Sequence, residues 1–141
     1  MKAHIGVDAV TGLVHSVATT PANVADITQV PQLLHGAETR VCGNAGSAGV
    51  VPRPEHRRRA IDWQVALRRG QRRRLPPGSA AAQAEQYKAC IPTKVEHPFL
   101  HLARHFSYGQ VRYRGLAKNR IRLCLLFGFA NLLLATRAAP A

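Results

Sequence analysis

The opening residues contain two runs in which apolar and polar side chains alternate, and this pattern restricts the fold more than any other feature of the chain. The first run covers residues 2–8, and a turn at Thr11 and Gly12 leads into the second run at 13–19. Alternation with a period of two is typical of half-buried strands. Two such runs joined by a glycine-containing turn predict that the chain opens with a β-hairpin.

The next elements are predicted from shorter patterns. Apolar residues at helical spacing predict a helix over 22–35, which ends at Gly36 and which Pro31 is expected to kink or weaken. Short strands are predicted at 39–42 and 62–67, on either side of a glycine-rich turn and a basic stretch. We expect the strand at 39–42 to join the hairpin in one sheet.

The last third of the chain is predicted to be helical. A helix capped by Ser79 is expected to end near Pro92, because proline lacks the backbone N–H that a helix interior needs. A second helix includes 99–106, and residues 121–136 form a final, largely buried helix. Strands first and helices later predict an α/β fold.

The length and charge narrow the class of protein. A chain of 141 residues fits one domain, which we expect at 1–141 with a basic loop insertion at about 51–78 and a helical part at about 79–137. Hydrophobic residues make up 46% of the chain, so it is not a disordered polycation. The formal charge of +13 predicts a partner rich in phosphate.

A membrane is the weaker of the two phosphate-rich partners. The apolar stretch at 123–135 is shorter than the roughly 20 residues that span a bilayer, and it contains Asn131. The three cysteines are far apart and form no CxxC pair, which favours a reducing compartment. We therefore expect a cytoplasmic protein that binds DNA and no membrane.

Two long segments carry a resemblance to a known family. The first reads MKAHIGVDAVTGLVHSVATTPANVADITQVPQLLHG and is followed by VCGNAG; the second reads KVEHPF, followed by FSYGQVRYRGLAKN and ANLLLATR. In this order and spacing they resemble the bacterial insertion-sequence transposases with an RNase H-like catalytic domain and an Asp-Asp-Glu triad. The resemblance implies an incomplete RNase H-like mixed sheet with C-terminal helices, DNA as partner and Mg²⁺ as the family's cofactor.

The family's catalytic positions are only partly retained. The second carboxylate is replaced by Asn44, and the third remains as Glu96, which is the one residual metal ligand. Pro92 and Ala103 stand where the family has an arginine and a lysine beside the glutamate. The family's first aspartate precedes the strand at 2–8, so we expect a truncated, inactive copy that binds no Mg²⁺ productively. The family pattern implies DNA-binding residues at Arg104, Arg112, Arg114, Lys118 and Arg120.

Other interpretations stay open at this point. The chain is alternatively a non-enzymatic DNA-binding protein that dampens an intact transposase, either at the element ends or as a subunit of its oligomer. His97, His101 and His105 are spaced four residues apart and form a weaker alternative, a Zn²⁺ or Ni²⁺ site. Asp8 is a substitute for the first carboxylate or, as we favour, an ordinary turn residue. The arginine clusters at 57–59 and 68–74 are either DNA contacts or solvated loops.

Overall fold

A computed structural model describes residues 1–47, 49–50, 54, 56 and 60–138. This part of the chain is mixed α/β and divides into two compact units, Met1–Val24 with Lys94–Ala141, and Ala25–Thr93. Its strands are β1 (Lys2–Val7), β2 (Val14–Thr20), β3 (Arg40–Gly43) and β4 (Asp62–Val65). Its α-helices are α1 (Val30–Leu33), α2 (Arg69–Arg72), α3 (Ala80–Phe106) and α4 (Leu116–Ala138), and short 3₁₀ helices cover Asp26–Gln29 and Ala45–Ser47.

The first unit begins with the predicted hairpin. Strands β1 and β2 are antiparallel, with a bulge between Gly6 and Val7. The turn is closed by Asp8, whose Oδ1 accepts hydrogen bonds from the backbone N–H groups of Val10 at 3.0 Å and Thr11 at 2.6 Å. The Thr11 bond is the main reason that the pKa of Asp8 lies below its ordinary value. The interpretation of Asp8 as a turn residue is confirmed.

The hairpin and the two long helices share one hydrophobic core. Its buried members come from β1, β2, α3 and α4, and they are Ile5, Val14, Leu102, Leu123, Phe127 and Ala130. The ring of Phe99 on α3 meets that of Phe127 on α4 edge to face, with centroids 5.4 Å apart. Burial of this kind contributes about 25 cal/mol per Å² of apolar surface and is the main stabilising term of the unit.

A single polar side chain joins α4 to the edge of the hairpin. The Asn131 side chain accepts a hydrogen bond from the Val14 N–H at 3.0 Å and donates one to the Val14 carbonyl at 2.8 Å. An asparagine amide has the same donor and acceptor as a peptide group. Asn131 therefore pairs with β2 as a neighbouring strand would, and the open edge of the strand is satisfied at this residue.

The other face of α4 is apolar and exposed. The prediction of a largely buried final helix is wrong, because Leu125 is 60% exposed, Phe129 53% and Leu132 63%. Among the described side chains of α4, those in the core that the hairpin and α3 share, such as Leu123 and Phe127, are covered. Over Leu116–Thr136 this helix is long and apolar enough to cross a membrane by length and composition alone, which is weak evidence by itself.

The bounds of two predicted helices differ in the structure. Helix α3 continues through Pro92 and Pro98, whereas the sequence predicted an interruption at Pro92. A proline removes one backbone hydrogen bond, and a 27-residue helix keeps the others. The helix predicted over 22–35 is reduced to the 3₁₀ turn Asp26–Gln29 and α1, with Pro31 in the first turn, where it is tolerated.

The second unit contains a sheet of its own. Strands β3 and β4 are parallel, and Arg40 pairs with Asp62 at their start through a 2.8 Å ion pair. The described strands therefore form two separate two-stranded sheets. The prediction that the strand at 39–42 joins the hairpin is wrong, because its backbone groups pair with β4 instead.

A buried carboxylate holds the segment after β4. Glu85 on α3 is 6% exposed. It accepts hydrogen bonds from the Leu67 N–H at 2.8 Å and from Lys88 Nζ at 2.9 Å. Burial raises the pKa of Glu85, but these two partners outweigh it, and the pKa lies below its ordinary value.

This lowered pKa predicts a loss of stability in acid. The folded state binds the Glu85 proton less tightly than the unfolded state, so the contribution is present above the unfolded pKa of 4.5 and disappears as pH falls through the folded value. We expect Glu85→Gln to reduce the free energy of unfolding by about 1–2 kcal/mol at pH 7 and by almost nothing at the acid end. Urea unfolding of both proteins across this range measures the difference; a constant difference at all pH values would contradict the assignment.

Candidate nucleic-acid interface

The loop between α3 and α4 is held in place by one buried asparagine. Asn119 is 1% exposed and lies in the first turns of α4. Its Nδ2 donates to the carbonyls of Tyr113 and Gly115, each at 2.6 Å, and its Oδ1 accepts from the Tyr113 N–H at 3.3 Å. Gly115 has a φ of 90°, which an L side chain rarely adopts, so glycine is required there. Residues 113–115 are therefore fixed by the helix that follows them.

Aromatic contacts fix the same loop from a second direction. The Arg122 guanidinium carbon lies 5.5 Å from the ring centroid of Tyr113 and 5.7 Å from that of Tyr108. Cation–π contacts of this length stabilise by about 0.5–1 kcal/mol each at exposed sites. Arg122 thus holds the loop and is not one of its free cations.

The basic side chains of this region point into solvent. Arg112 and Arg114 on the loop, Lys118 and Arg120 on α4, and Arg104 on α3 are all exposed. Within the described part of the chain, these five side chains make no ion pair with a carboxylate. The first turn of α4 also contains no acidic residue. Because the N-terminus of a helix carries partial positive charge and free N–H groups, this end of α4 is suited to phosphate.

The turn that carries Asn44 is built around its own amide. Asn44 Oδ1 accepts a hydrogen bond from the Gly46 N–H at 2.9 Å, and the Asn44 carbonyl accepts one from the Ser47 N–H at 3.0 Å. A Cβ at Gly43 would lie 3.0 Å from Ser47 Oγ, so a larger residue there would require Ser47 to shift. Asn44 therefore acts as the N-cap of the 3₁₀ helix Ala45–Ser47, a position that asparagine and aspartate both favour.

A carboxylate that the sequence analysis missed lies beside this turn. A Cβ at Gly46 would lie 3.7 Å from Asp26 Oδ2. The 3₁₀ helix Asp26–Gln29 brings Asp26 there, whereas the predicted helix over 22–35 gave no reason to single it out. The side-chain oxygens nearest to this position are those of the Asp26 carboxylate and the neutral Asn44 amide.

The third family position, Glu96, lies on α3, which the sequence predicted as two shorter helices. Glu96 is exposed on α3, and it belongs to the other compact unit from Asn44. Among the residues that the structure describes, no group of three or more His, Cys, Asp or Glu side chains is placed to hold a metal ion. The two-metal chemistry of phosphoryl transfer uses several converging carboxylates. Neither unit by itself therefore contains a described donor set of that kind.

Of the two arginine clusters, only the second, at 68–74, lies within the described residues. Arg57, Arg58 and Arg59 lie outside the described residues. The cluster at 68–74 is exposed on and around α2 and belongs to the second unit. The exposure of the 68–74 cluster fits a DNA contact and a solvated loop equally well.

The comparison with known families agrees with the sequence motifs. A family described as the transposase DDE domain matches residues 1–132. No solved structure matches the chain. The match covers the hairpin, the turn with Asn44, all of α3 and most of α4. This chain belongs to the transposase DDE domain family.

Proposed function

We propose that the chain binds duplex DNA through the loop at 112–115 and the start of α4, and that it does not cut DNA. The observation that supports this is the group of exposed cations on a loop that Asn119 fixes at a helix N-terminus. Because the backbone of this loop is already fixed, little further backbone entropy is lost when its cations meet phosphates. Contacts of this type position DNA without reading its sequence, so we expect little sequence preference.

The proposed inactivity rests on the donor set. Asn44 offers a neutral oxygen where the family has a charged carboxylate, and that oxygen already accepts the Gly46 N–H. Mg²⁺ gives up its water reluctantly and is usually bound through one or two carboxylates in a near-octahedral arrangement. An amide that already accepts a hydrogen bond is a weak replacement.

Family membership supports three further parts of the proposal. We infer an RNase H-like arrangement of the chain, with Asn44 close to Glu96, as the family's shared metal site requires. We infer a cytoplasmic location, where an element's DNA is accessible. A partner of the same family, an intact transposase whose activity this chain dampens by competing for the element ends, fits a protein that binds DNA without cutting it.

One assay tests binding and cleavage together. Supercoiled plasmid with Mg²⁺ or Mn²⁺ is expected to be retarded on a gel without conversion to nicked or linear forms. Asn44→Asp alone is expected to leave this result unchanged, because a single added carboxylate does not complete the set. The matched control is Glu96→Ala: metal-dependent nicking that this substitution abolishes would overturn the proposed inactivity.

A further inference from the structure

Three histidines lie along one face of the C-terminal half of α3. His97, His101 and His105 are four residues apart, a spacing that places side chains above one another on a helix. The rings of His101 and His105 stack with centroids 5.6 Å apart and planes 13° from parallel. All three histidines line the same shallow depression, together with Leu100 and Arg104.

We propose that His101 and His105 chelate a late first-row divalent cation of the Ni²⁺ or Zn²⁺ type. Neutral imidazole nitrogens bind such ions at about 2.0–2.1 Å. Two nitrogens on one ion lie roughly 3 Å apart at that bond length. The rings must therefore tilt toward each other from the stacked arrangement. His105 is exposed and His101 is partly exposed, so both rings lie at the surface of α3.

The chemistry of this pair differs from that of the family's catalytic centre. Imidazole selects Zn²⁺, Ni²⁺ and Cu²⁺, whereas Mg²⁺ prefers carboxylate and water oxygens. The pair provides two ligands, and water completes the coordination. Arg104 lines the same depression and its charge opposes a cation there, so we expect weak, reversible binding.

This inference does not depend on DNA binding. The pair lies on α3, and metal binding is measured without nucleic acid. If the chain binds DNA but not Ni²⁺, only this inference is contradicted. If it binds Ni²⁺ but not DNA, only the proposed function is contradicted.

Titration of the full, untagged chain with NiCl₂ and with ZnCl₂ in neutral buffer tests the pair. We expect one ion per chain by calorimetry, and at least a tenfold loss of affinity in His101→Gln and in His105→Gln. The control is His15→Gln on β2, which is expected to change affinity less than twofold. Far-UV circular dichroism of each variant verifies that α3 is retained.

Histidine ring resonances in NMR spectra locate the ion directly. Shifts confined to His101 and His105 on Zn²⁺ addition are the expected result. Unchanged affinity in both α3 variants would overturn the proposal. Loss of binding in His97→Gln with no effect of His105→Gln would also overturn it, because the ion would then lie on another pair.

Discussion

Raising the salt concentration from about 50 to about 200 mM is expected to weaken duplex DNA binding on the order of a hundredfold. Four exposed cations, Arg112, Arg114, Lys118 and Arg120, surround the start of α4. Each phosphate that they neutralise releases condensed counterions, so the logarithm of affinity falls with the logarithm of salt with a slope of about −0.9 per contact. About four contacts predict a slope between −3 and −4. Fluorescence anisotropy with a labelled duplex measures it.

A matched pair of triple variants locates the DNA on the surface. Replacing Arg112, Arg114 and Lys118 by Gln is expected to reduce the size of the salt slope by about three. The control replaces Arg69, Arg73 and Arg74 by Gln, which removes the same net charge from an exposed face of the other unit. We expect the control to change the slope by less than about one. A larger change of the salt slope in the control variant would place the DNA contact at α2. An affinity of the unmodified chain that does not change with salt would exclude binding through phosphate contacts.

Removing the Asn131 amide is expected to cost about 2–4 kcal/mol of stability in the first unit. In Asn131→Ala the Val14 N–H and carbonyl both lose their partner, and each unsatisfied buried group costs about 1–3 kcal/mol. Because the two groups are only partly buried, the expected total is less than twice the largest cost per group.

The readout is amide hydrogen exchange at Val14 together with urea unfolding. Leu132→Ala is the control, because Leu132 is the neighbouring residue on α4 and is 63% exposed. It is expected to cost less than about 1 kcal/mol and to leave exchange at Val14 unchanged. Equal losses in the two variants would mean that Asn131 stabilises α4 as a helix and not through its contact with β2.

Local patterns predicted most elements of the fold. The hairpin, β3, β4 and the final helix are confirmed within a few residues, because strand alternation and helical spacing depend on near neighbours in the chain. The pairing of β3 with β4 was missed. Parallel pairing joins residues that are far apart in sequence, and strands this short carry little information about their partner.

The prolines and the burial of α4 show a second limit of sequence patterns. Proline at position 92 favours a helix end locally, yet α3 continues through it. The apolar run in α4 does not indicate which of its faces has a partner, and only one face is covered. Both outcomes depend on tertiary contacts that helix propensity does not contain.

The candidate interface was predicted as residue types but not as geometry. The basic residues of the RYRGLAKN motif were identified, whereas the roles of Asn119 and Arg122 were not. A buried asparagine and an arginine over two tyrosines look like any other polar residues of a basic segment. The proximity of Asn44 to Glu96 stays a prediction.

The contact between Asn131 and Val14 also acts on the far end of α4. Thirteen residues separate Asn131 from Lys118, which corresponds to about 20 Å of helix at 1.5 Å per residue. If α4 is rigid, a tilt of its axis by about 10° around Asn131 would move the end with Lys118 by about 3.5 Å. That displacement exceeds the length of a hydrogen bond to phosphate. Under the proposed binding mode, the contact between Asn131 and Val14 would therefore influence where the cations meet phosphate.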